Sequence, residues 1–355
     1  MIAIPSLNFS PCSLKPANGY GKLEIALWSA LAEIGVQVNP VGFIREEGAD
    51  QLSLAAKLQT ELDQPMPRPH HSLVIGKPYL GENWHLRNTC KWLYTMSEST
   101  RVSEEWVEQI NRLFDGVIVP APALVDIYKT SGVERPVQYV PMGITPPESP
   151  VHRNPASHSP FVFLTYSLGE MRKGAELAIQ TFRKLFNGDP RYQLWIKTPA
   201  DGIPGWLGAV ANACSQIKLV SARLTEQEWF ELLASVDCFV FPSRGEGFGL
   251  PPREATLVGT PTIATSWLGL HDVACWGLPI RVKEMRPAAF EGEANHPTLS
   301  MWAEPDIDDL ARQMVHAVVD HDEFRRTAAA GQRYLRQFTW QRTALAILEV
   351  IGHAA

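Results

Sequence analysis

A chain of 355 residues, 45% hydrophobic and 20% charged, is too long for one ordinary compact core and has the make-up of a globular protein of two domains. Its formal net charge of −6 argues against a general polyanion binder, although a local basic patch fits within it. Cys12, Cys90, Cys214, Cys238 and Cys275 are scattered without a CxxC pair, which points away from a disulfide framework or a zinc site and towards a reducing compartment.

No apolar run approaches the roughly 20 residues that span a bilayer. The opening MIAIPSLNF lacks the basic-then-apolar layout of a signal peptide, so the expected location is the cytoplasm. Ile2 to Ile4 is expected as a first strand, and Asn8 to Tyr20 as a polar loop ending in Gly19-Tyr20-Gly21. Leu23 to Ile34 carries apolar residues at helical spacing and stops at Gly35, and Val36 to Val41 returns as a strand. Glycines in that first loop let the backbone approach a ligand, or serve a plain turn. Gln51 to Leu62 reads as a helix broken by Pro65 to Pro69, and Ser72 to Ile75 and Lys91 to Thr95 read as strands. Val102 to Phe114 is expected as a helix capped by Ser103, with Trp106, Val107, Ile110 and Leu113 on one face. Gly116 to Val119, Pro122 to Ser131 and Val137 to Val140 continue as strand, helix and strand. The alternation predicts a parallel α/β sheet wrapped by helices.

Thr145 to Pro160 (TPPESPVHRNPASHSP) has no periodic apolar face and reads as a linker, with His152 and His158 as solvated residues of it. The expected domains are 1–145, a linker at 146–160, and 161–338. In the second, Phe161 to Thr165, Tyr192 to Lys197 and Ile217 to Val220 read as strands; Ala175 to Phe186 and Val210 to Ser215 read as helices. Thr225 caps a further helix through Ala234, with Glu228 at the capping-box position, and Cys214 and Cys238 belong to the core. His271 to Trp302 reads as irregular, with Trp276 and Trp302 as packing residues. Asp308 to Val319, Glu323 to Arg336 and Trp340 to Ile351 are amphipathic helices, and Asp306-Ile307-Asp308 reads as a cap rather than a metal site.

The stretch Phe239 to Leu270 carries the chemistry. A β-branched run ends at Phe241, a loop with three glycines follows, and a helix is expected from Arg253 to Val258. Loops at the carboxyl ends of parallel strands are where such sheets bind ligands. Backbone N–H groups at a helix start suit a phosphate, and Gly247 and Gly249 permit close approach. A phosphate does not want carboxylates, so Glu246 and Glu254 must meet something else. Acceptor-only carboxylates suit the vicinal hydroxyls of a ribose or hexose. The pair therefore reads as a seat for a sugar nucleotide. The alternative is that Glu254 complements the helix dipole and Glu246 is a solvated loop residue. Arg172 and Lys173, in the loop after Phe161 to Thr165, are placed to neutralise a diphosphate, or are a solvated basic pair; Lys197 is a further cation of that kind.

The run PSRGEGFGLPPREA followed by GTPTIAT resembles the E-x7-E signature of the retaining glycosyltransferases of family four. LTEQEWFELLASVDCFVFPS, YTMSESTR with VSEEWVEQIN, VIVPAPALVDIYKTSGV, VQYVPMGI, WAEPDIDDLARQM and FTWQRTALAIL resemble other parts of that family. The resemblance implies the GT-B fold, two facing Rossmann-like domains with parallel sheets, and a last helix, residues 339–355, crossing back to the first domain. It implies that Glu254 holds the ribose, that Glu246 lies by the donor sugar, and that backbone N–H groups around Phe248 to Leu250 serve sugar and phosphate. The family's lysine before glycine falls on Lys173. Its usual arginine falls on Leu168, with Arg172 as the substitute, and its His-Asp near Ser97-Glu98 leaves only Glu98, as an acceptor-side residue. Gly19 and Gly21 match its N-terminal glycine loop loosely, and the Ser221 to Leu224 loop, with Arg223, is expected near the base.

The expected activity is transfer of a hexose from a UDP- or GDP-type sugar to an acceptor hydroxyl of a glycan, lipid-linked or small molecule, with retention, without a metal and with no cofactor beyond the nucleoside diphosphate sugar. Transfer to a modified nucleic-acid base or another macromolecule, and a nucleotide-sugar binding or epimerising protein, are the alternatives. The partners are the donor and an acceptor that the residues do not name.

Overall fold

Short apolar runs bounded by glycine and proline alternate with longer amphipathic ones, and in the computed structural model that alternation becomes strands and helices. The structure describes residues 4, 6–11, 19–41, 71–78, 89–151, 160–167, 169–199, 203–289 and 299–353. The chain divides into two units, one of Met1–Ser97, Arg101–Gly143 and Phe338–Ala355, the other of Glu98–Thr100 and Ile144–Gln337. The helix expected at Gln51 to Leu62, its break at Pro65 to Pro69, Leu168, and the linker histidines His152 and His158 lie outside the described residues.

The first unit contains β1 (Ser6–Ser10), α1 (Gly19–Glu33), β2 (Gln37–Pro40), β3 (His71–Ile75), β4 (Cys90–Tyr94), α2 (Glu104–Leu113), β5 (Gly116–Val119), α3 (Pro122–Thr130) and β6 (Val137–Tyr139). Its strands are parallel, in the order β2-β1-β3-β4-β5-β6. Two expectations are corrected here. The strand expected at Ile2 to Ile4 falls mainly outside the described residues, and β1 lies where the polar loop was expected to begin. Its polar residues are tolerated inside the sheet: Asn8 is buried and its Nδ2 donates to Ser72 Oγ at 3.1 Å. Gly19 and Gly21, expected in a loop, form the first turn of α1, because Leu23, Leu27, Ala30 and Leu31 are all buried and extend one helical face. Ser103 caps α2, its side chain accepting the Trp106 N–H.

The second unit runs β7 (Phe161–Tyr166), a 3₁₀ turn (Met171–Lys173), α4 (Ala175–Phe186), β8 (Tyr192–Lys197), α5 (Gly205–Ala213), β9 (Ile217–Val220), α6 (Glu226–Ser235), β10 (Cys238–Phe241), α7 (Leu250–Leu257), β11 (Thr262–Thr265), β12 (Leu278–Ile280), β13 (Val282–Pro287), β14 (Met301–Pro305), α8 (Ile307–Val319) and α9 (His321–Leu335). The parallel order is β12-β11-β10-β7-β8-β9. The chain starts at the centre with β7, winds outward to β9, then returns and winds the other way from β10. The topological switch point therefore lies between β7 and β10. Phe163, Phe182, Phe186, Leu194, Ile196, Leu310, Met314 and Phe324 fill one side of the sheet. Thr225 and Glu228 form the full capping box of α6, and Asp306 caps α8 through the N–H groups of Asp308 and Asp309.

The region from His271 to Trp302 is more regular than expected. It supplies β12, one edge strand of the sheet, and the antiparallel ribbon β13–β14. β12 is three residues with a central proline, and β13 (VKEMRP) is almost wholly exposed, so neither carries an apolar alternation to read. Trp276 and Trp302 are buried.

The chain ends in α10 (Trp340–His353), which packs on α1 in the first unit. Ala344, Ile347 and Ile351 are buried, and Gln341 Nε2 donates to Glu33 Oε2 at 2.8 Å. No helix among the described residues is long and apolar enough to cross a membrane.

Candidate functional site at the switch point of the second sheet

β7 and β10 are hydrogen-bonded neighbours, so the loops that follow them leave the sheet side by side. After β7 the chain makes the Met171–Lys173 turn and ends it at Gly174 in the left-handed region (φ 68). A Cβ at Gly174 would collide with the Pro242 carbonyl oxygen of the loop after β10, so glycine is required by both conformation and contact. The two loops are also tied by backbone: the Arg244 N–H donates to Arg172 O at 2.7 Å. Residues more than seventy positions apart thus meet at one edge, as expected from the sequence.

Glu246 is the centre of this meeting. Its Oε1 accepts from Lys173 Nζ at 2.7 Å, Ser243 Oγ at 2.7 Å and Arg172 Nη1 at 3.3 Å. Oε2 accepts no hydrogen bond among the described residues. Arg172 also donates to Gly245 O at 2.7 Å and to Glu170 Oε2 at 3.1 Å. Lys173 stands 5.5 Å from the centroid of the Phe241 ring. Burial alone would raise the carboxyl pKa of Glu246, but Lys173, Arg172 and the hydrogen bonds hold it below the ordinary value. Burial lowers the Lys173 ammonium, against the pull of Glu246. The alternative of a solvated glutamate and a solvated basic pair is therefore excluded. Glu246 is 7% exposed and Lys173 6%. A lysine offers three donors, and one of these is committed to protein.

Glu98 belongs to the same unit through the short segment Glu98–Thr100. A Cβ on Gly245 would run into the Glu98 carbonyl oxygen, and Thr100 exchanges hydrogen bonds with Met301, N–H to O at 3.1 Å and N–H to Oγ1 at 2.9 Å. Burial pushes the Glu98 carboxyl up, and Glu246 adds to the shift while Arg172 and Lys173 oppose it. Glu98, Arg172, Lys173 and Glu246 are therefore near enough to act on one another's charge.

The second carboxylate is differently housed. α7 starts at Leu250, three residues before the expected start, with left-handed Gly249 (φ 78) as its N-cap. Glu254 is consequently past the first turn, which removes a dipole role as its explanation. It is buried, and its Oε2 accepts the Trp229 indole N–H at 2.7 Å. The earlier start also changes the anion seat. Pro251 and Pro252 occupy the second and third helical positions and have no N–H, so the donors at this end are those of Gly249 and Leu250. Neither makes a hydrogen bond within the described residues. Gly247 and Phe248 are buried in the same loop. A Cβ at Gly249 would meet the Leu270 side chain, so this glycine answers to packing as well as to conformation.

The remaining candidates are dispersed. Lys197 ends β8 beside β7, and its Nζ donates to Thr198 O at 2.5 Å. Arg223 is exposed in the loop after β9, two strands from β7 on the same edge. Gly19 and Gly21 lie in the first unit. Among the described residues no group of three or more His, Cys, Asp or Glu side chains is arranged to hold a metal ion.

Sequence reasoning missed the residues that brace the loop. Arg253, 1% exposed, donates to the Phe248 and Gly269 carbonyls and to Asp272, between the rings of Phe248 at 4.2 Å and Trp276 at 5.1 Å. Arg244 pairs with Glu304 and Glu176. Their partners lie up to 73 positions away, beyond any local spacing rule. An arginine at an otherwise apolar helical position, as in PPREATL, was the available signal for Arg253.

Residues 123–347 match the profile described as Family 4 Glycosyltransferase in conflict systems. The serotype-specific mannosyltransferase WbdA of Escherichia coli is 27% identical over 186 residues, which cover 51% of this chain and 20% of WbdA. The D-inositol 3-phosphate glycosyltransferase of Streptomyces bingchenggensis is 23% identical over 194 residues, covering 51% and 38%. The chain thus spans well under half the length of these relatives. Among solved structures, Anabaena HepE in complex with UDP-glucose superposes with a TM-score of 0.68 at 15% identity, over 98% of this chain and 99% of that one. The pneumococcal O-GlcNAc transferase GtfA in complex with UDP and GlcNAc gives 0.55 at 14% identity, over 80% and 57%. At such identities the likeness is one of fold, that of GT-B proteins with two Rossmann-like units.

Proposed function

Since the chain belongs to the family 4 glycosyltransferases in conflict systems, we propose that it moves a hexose from a nucleoside diphosphate sugar to an acceptor hydroxyl, with retention of the anomeric configuration. The observation that carries this reading is the cluster of Arg172, Lys173 and Glu246 at the switch point of one sheet. Two cations and a carboxylate held there, with an uncommitted carboxylate oxygen, match a ligand that has both phosphate charge and hydroxyl groups.

In this reading the sugar leaves the diphosphate as the acceptor oxygen bonds to the anomeric carbon from the same face. The acceptor proton passes to the departing phosphate oxygen. Lys173, Arg172 and the N–H groups of Gly249 and Leu250 stabilise the charge that develops on the diphosphate, with no metal required. Glu246 Oε2 accepts a hydroxyl of the sugar. Glu254, oriented by Trp229, accepts the ribose hydroxyls, Lys197 serves as a further cation for the diphosphate, and Arg223 lies with the loop read as facing the base. Glu98 acts on the acceptor side. UDP bound in HepE and GtfA makes UDP-sugars the first donors to try, and the mannosyltransferase relative makes mannose donors the next.

The test is calorimetry after a thermal-shift screen of nucleoside diphosphate sugars, since a ligand of the folded state raises stability. Glu254→Ala is expected to abolish measurable donor binding. Unchanged affinity removes the ribose assignment, and a screen without any stabilising donor removes the function.

A further inference from the structure

Arg244 is buried two residues before Glu246, and the proposed chemistry does not use it. Its guanidinium is committed to three elements. Nε and Nη2 form a bidentate pair with Glu304 of β14 at 2.6 and 3.1 Å. Nη1 reaches Glu176 Oε1 in the first turn of α4 at 2.5 Å and also the Met171 carbonyl. Its backbone continues the pattern: the N–H donates to Arg172 O at 2.7 Å, and the carbonyl accepts the Ala303 N–H at 3.2 Å.

The consequence falls on the Met171–Lys173 turn. A single 3₁₀ turn has poor internal hydrogen bonding and little stiffness of its own. Here its internal support is Gly174 N–H to Met171 O at 3.2 Å and Lys173 N–H to Glu170 O at 3.3 Å. The carbonyls of Met171 and Arg172 both receive a donor from Arg244, and the Arg172 carbonyl one more from Ser243 Oγ at 3.2 Å. Where the side chains of Arg172 and Lys173 stand is therefore governed by a residue that touches neither side chain. A buried guanidinium between two carboxylates is a poor source of stability compared with apolar packing, but its planar fork fixes direction.

We infer that Arg244, anchored by Glu304, is a positioning residue that holds the Met171–Lys173 turn so that Arg172 and Lys173 meet the diphosphate of the donor. The inference rests on the reading of the donor as a nucleoside diphosphate sugar. It couples the β13–β14 ribbon to the phosphate end of the site, and not to the ribose end at Glu254.

The experiment compares ligands that differ by one phosphate. Wild type, Arg244→Met, Arg244→Lys and Glu304→Gln are titrated calorimetrically with UDP, GDP and ADP and with the matching monophosphates. For the diphosphate that wild type binds, Arg244→Met is expected to lose about tenfold or more in affinity, the scale of one or two charge-assisted hydrogen bonds. Affinity for the monophosphate is expected to stay at the wild-type value. Arg244→Lys keeps the charge but lacks the fork, and should fall with Arg244→Met. Glu304→Gln should show the same discrimination to a smaller extent, and decides the matter if Arg244→Met does not fold. Equal losses for both ligands, or retained diphosphate affinity in Arg244→Met, overturn the positioning role while the functional reading stands. A wild type that binds none of the diphosphates overturns both.

Discussion

Glu246 shows how far one carboxylate can be specified by its neighbours. Its folded pKa is depressed, with burial opposed by Lys173 and Arg172, so its ionisation favours the folded state. That contribution is present above the ordinary glutamate value and is lost as pH falls through the depressed one. Glu98, raised by burial, works in the opposite sense: its ionisation opposes folding above the ordinary value. A comparison of wild type with Glu246→Gln isolates the first effect. At neutral pH the variant should unfold at lower urea concentration, because Lys173 and Arg172 lose their counter-charge. The two midpoints should converge only as pH falls through the depressed value, where Glu246 becomes protonated in folded wild type too. A gap that stays constant from neutral to acid pH would show that the carboxylate's charge is not what matters. Glu246, Lys173 and Arg172 were legible in the sequence because strand ends and glycines locate loops, and loops at one sheet edge must meet. Trp229, which holds Glu254, was not, since an indole in an amphipathic helix reads simply as core.

Elements set what those residues can do. The loop between β10 and α7 is braced on one side by Arg244 and on the other by Arg253, whose charge is buried with that of Asp272. Tyr334 Oη donates to the other Asp272 oxygen at 3.2 Å, and burial beside that carboxylate pushes its hydroxyl up to about 12. Replacing Arg253 with methionine keeps length and apolar stem but strands Asp272 and two backbone carbonyls. The expected loss is about 3–5 kcal/mol in urea unfolding, the range for breaking one side of a buried pair. A loss under about 1 kcal/mol, the median for exposed pairs, would mean that water reaches the cluster. The strands β7 to β11 of the second sheet and most helices stand close to where periodicity put them, because each turns apolar residues into the core. The departures have two causes. β1 and β13 are strands without the expected pattern, the first carrying hydrogen-bonded polar residues inward and the second lying exposed. α7 begins early because Gly249 adopts a left-handed cap that no spacing rule announces.

At the scale of the molecule, the chain returns at its end to the unit in which it began. Phe338–Ala355 belongs with the first sheet, 195 positions after that unit's preceding segment closes at Gly143. Three contacts fix the return. A Cβ on Gly143 would collide with Trp340, Thr343 Oγ1 donates to Pro141 O at 2.9 Å, and α10 lies along α1. The second unit, by contrast, closes its own core with α8 and α9 packed against β12 and α7. Each unit therefore has a separate set of buried contacts, and damage to one core need not open the other. Ile347, fully buried in α10, tests this without shortening the chain. Ile347→Asp puts a charge into the first unit's core, which costs several kcal/mol unless the helix swings out. Hydrogen exchange should then quicken in β1, β3 and α1 while β7, β8 and β10 keep their protection. Donor binding should persist, because the residues assigned to the diphosphate and ribose all lie in the second unit. Matching acceleration in both sheets would mean that the two units unfold as one, and that the returning helix supports the donor site as well as the first sheet.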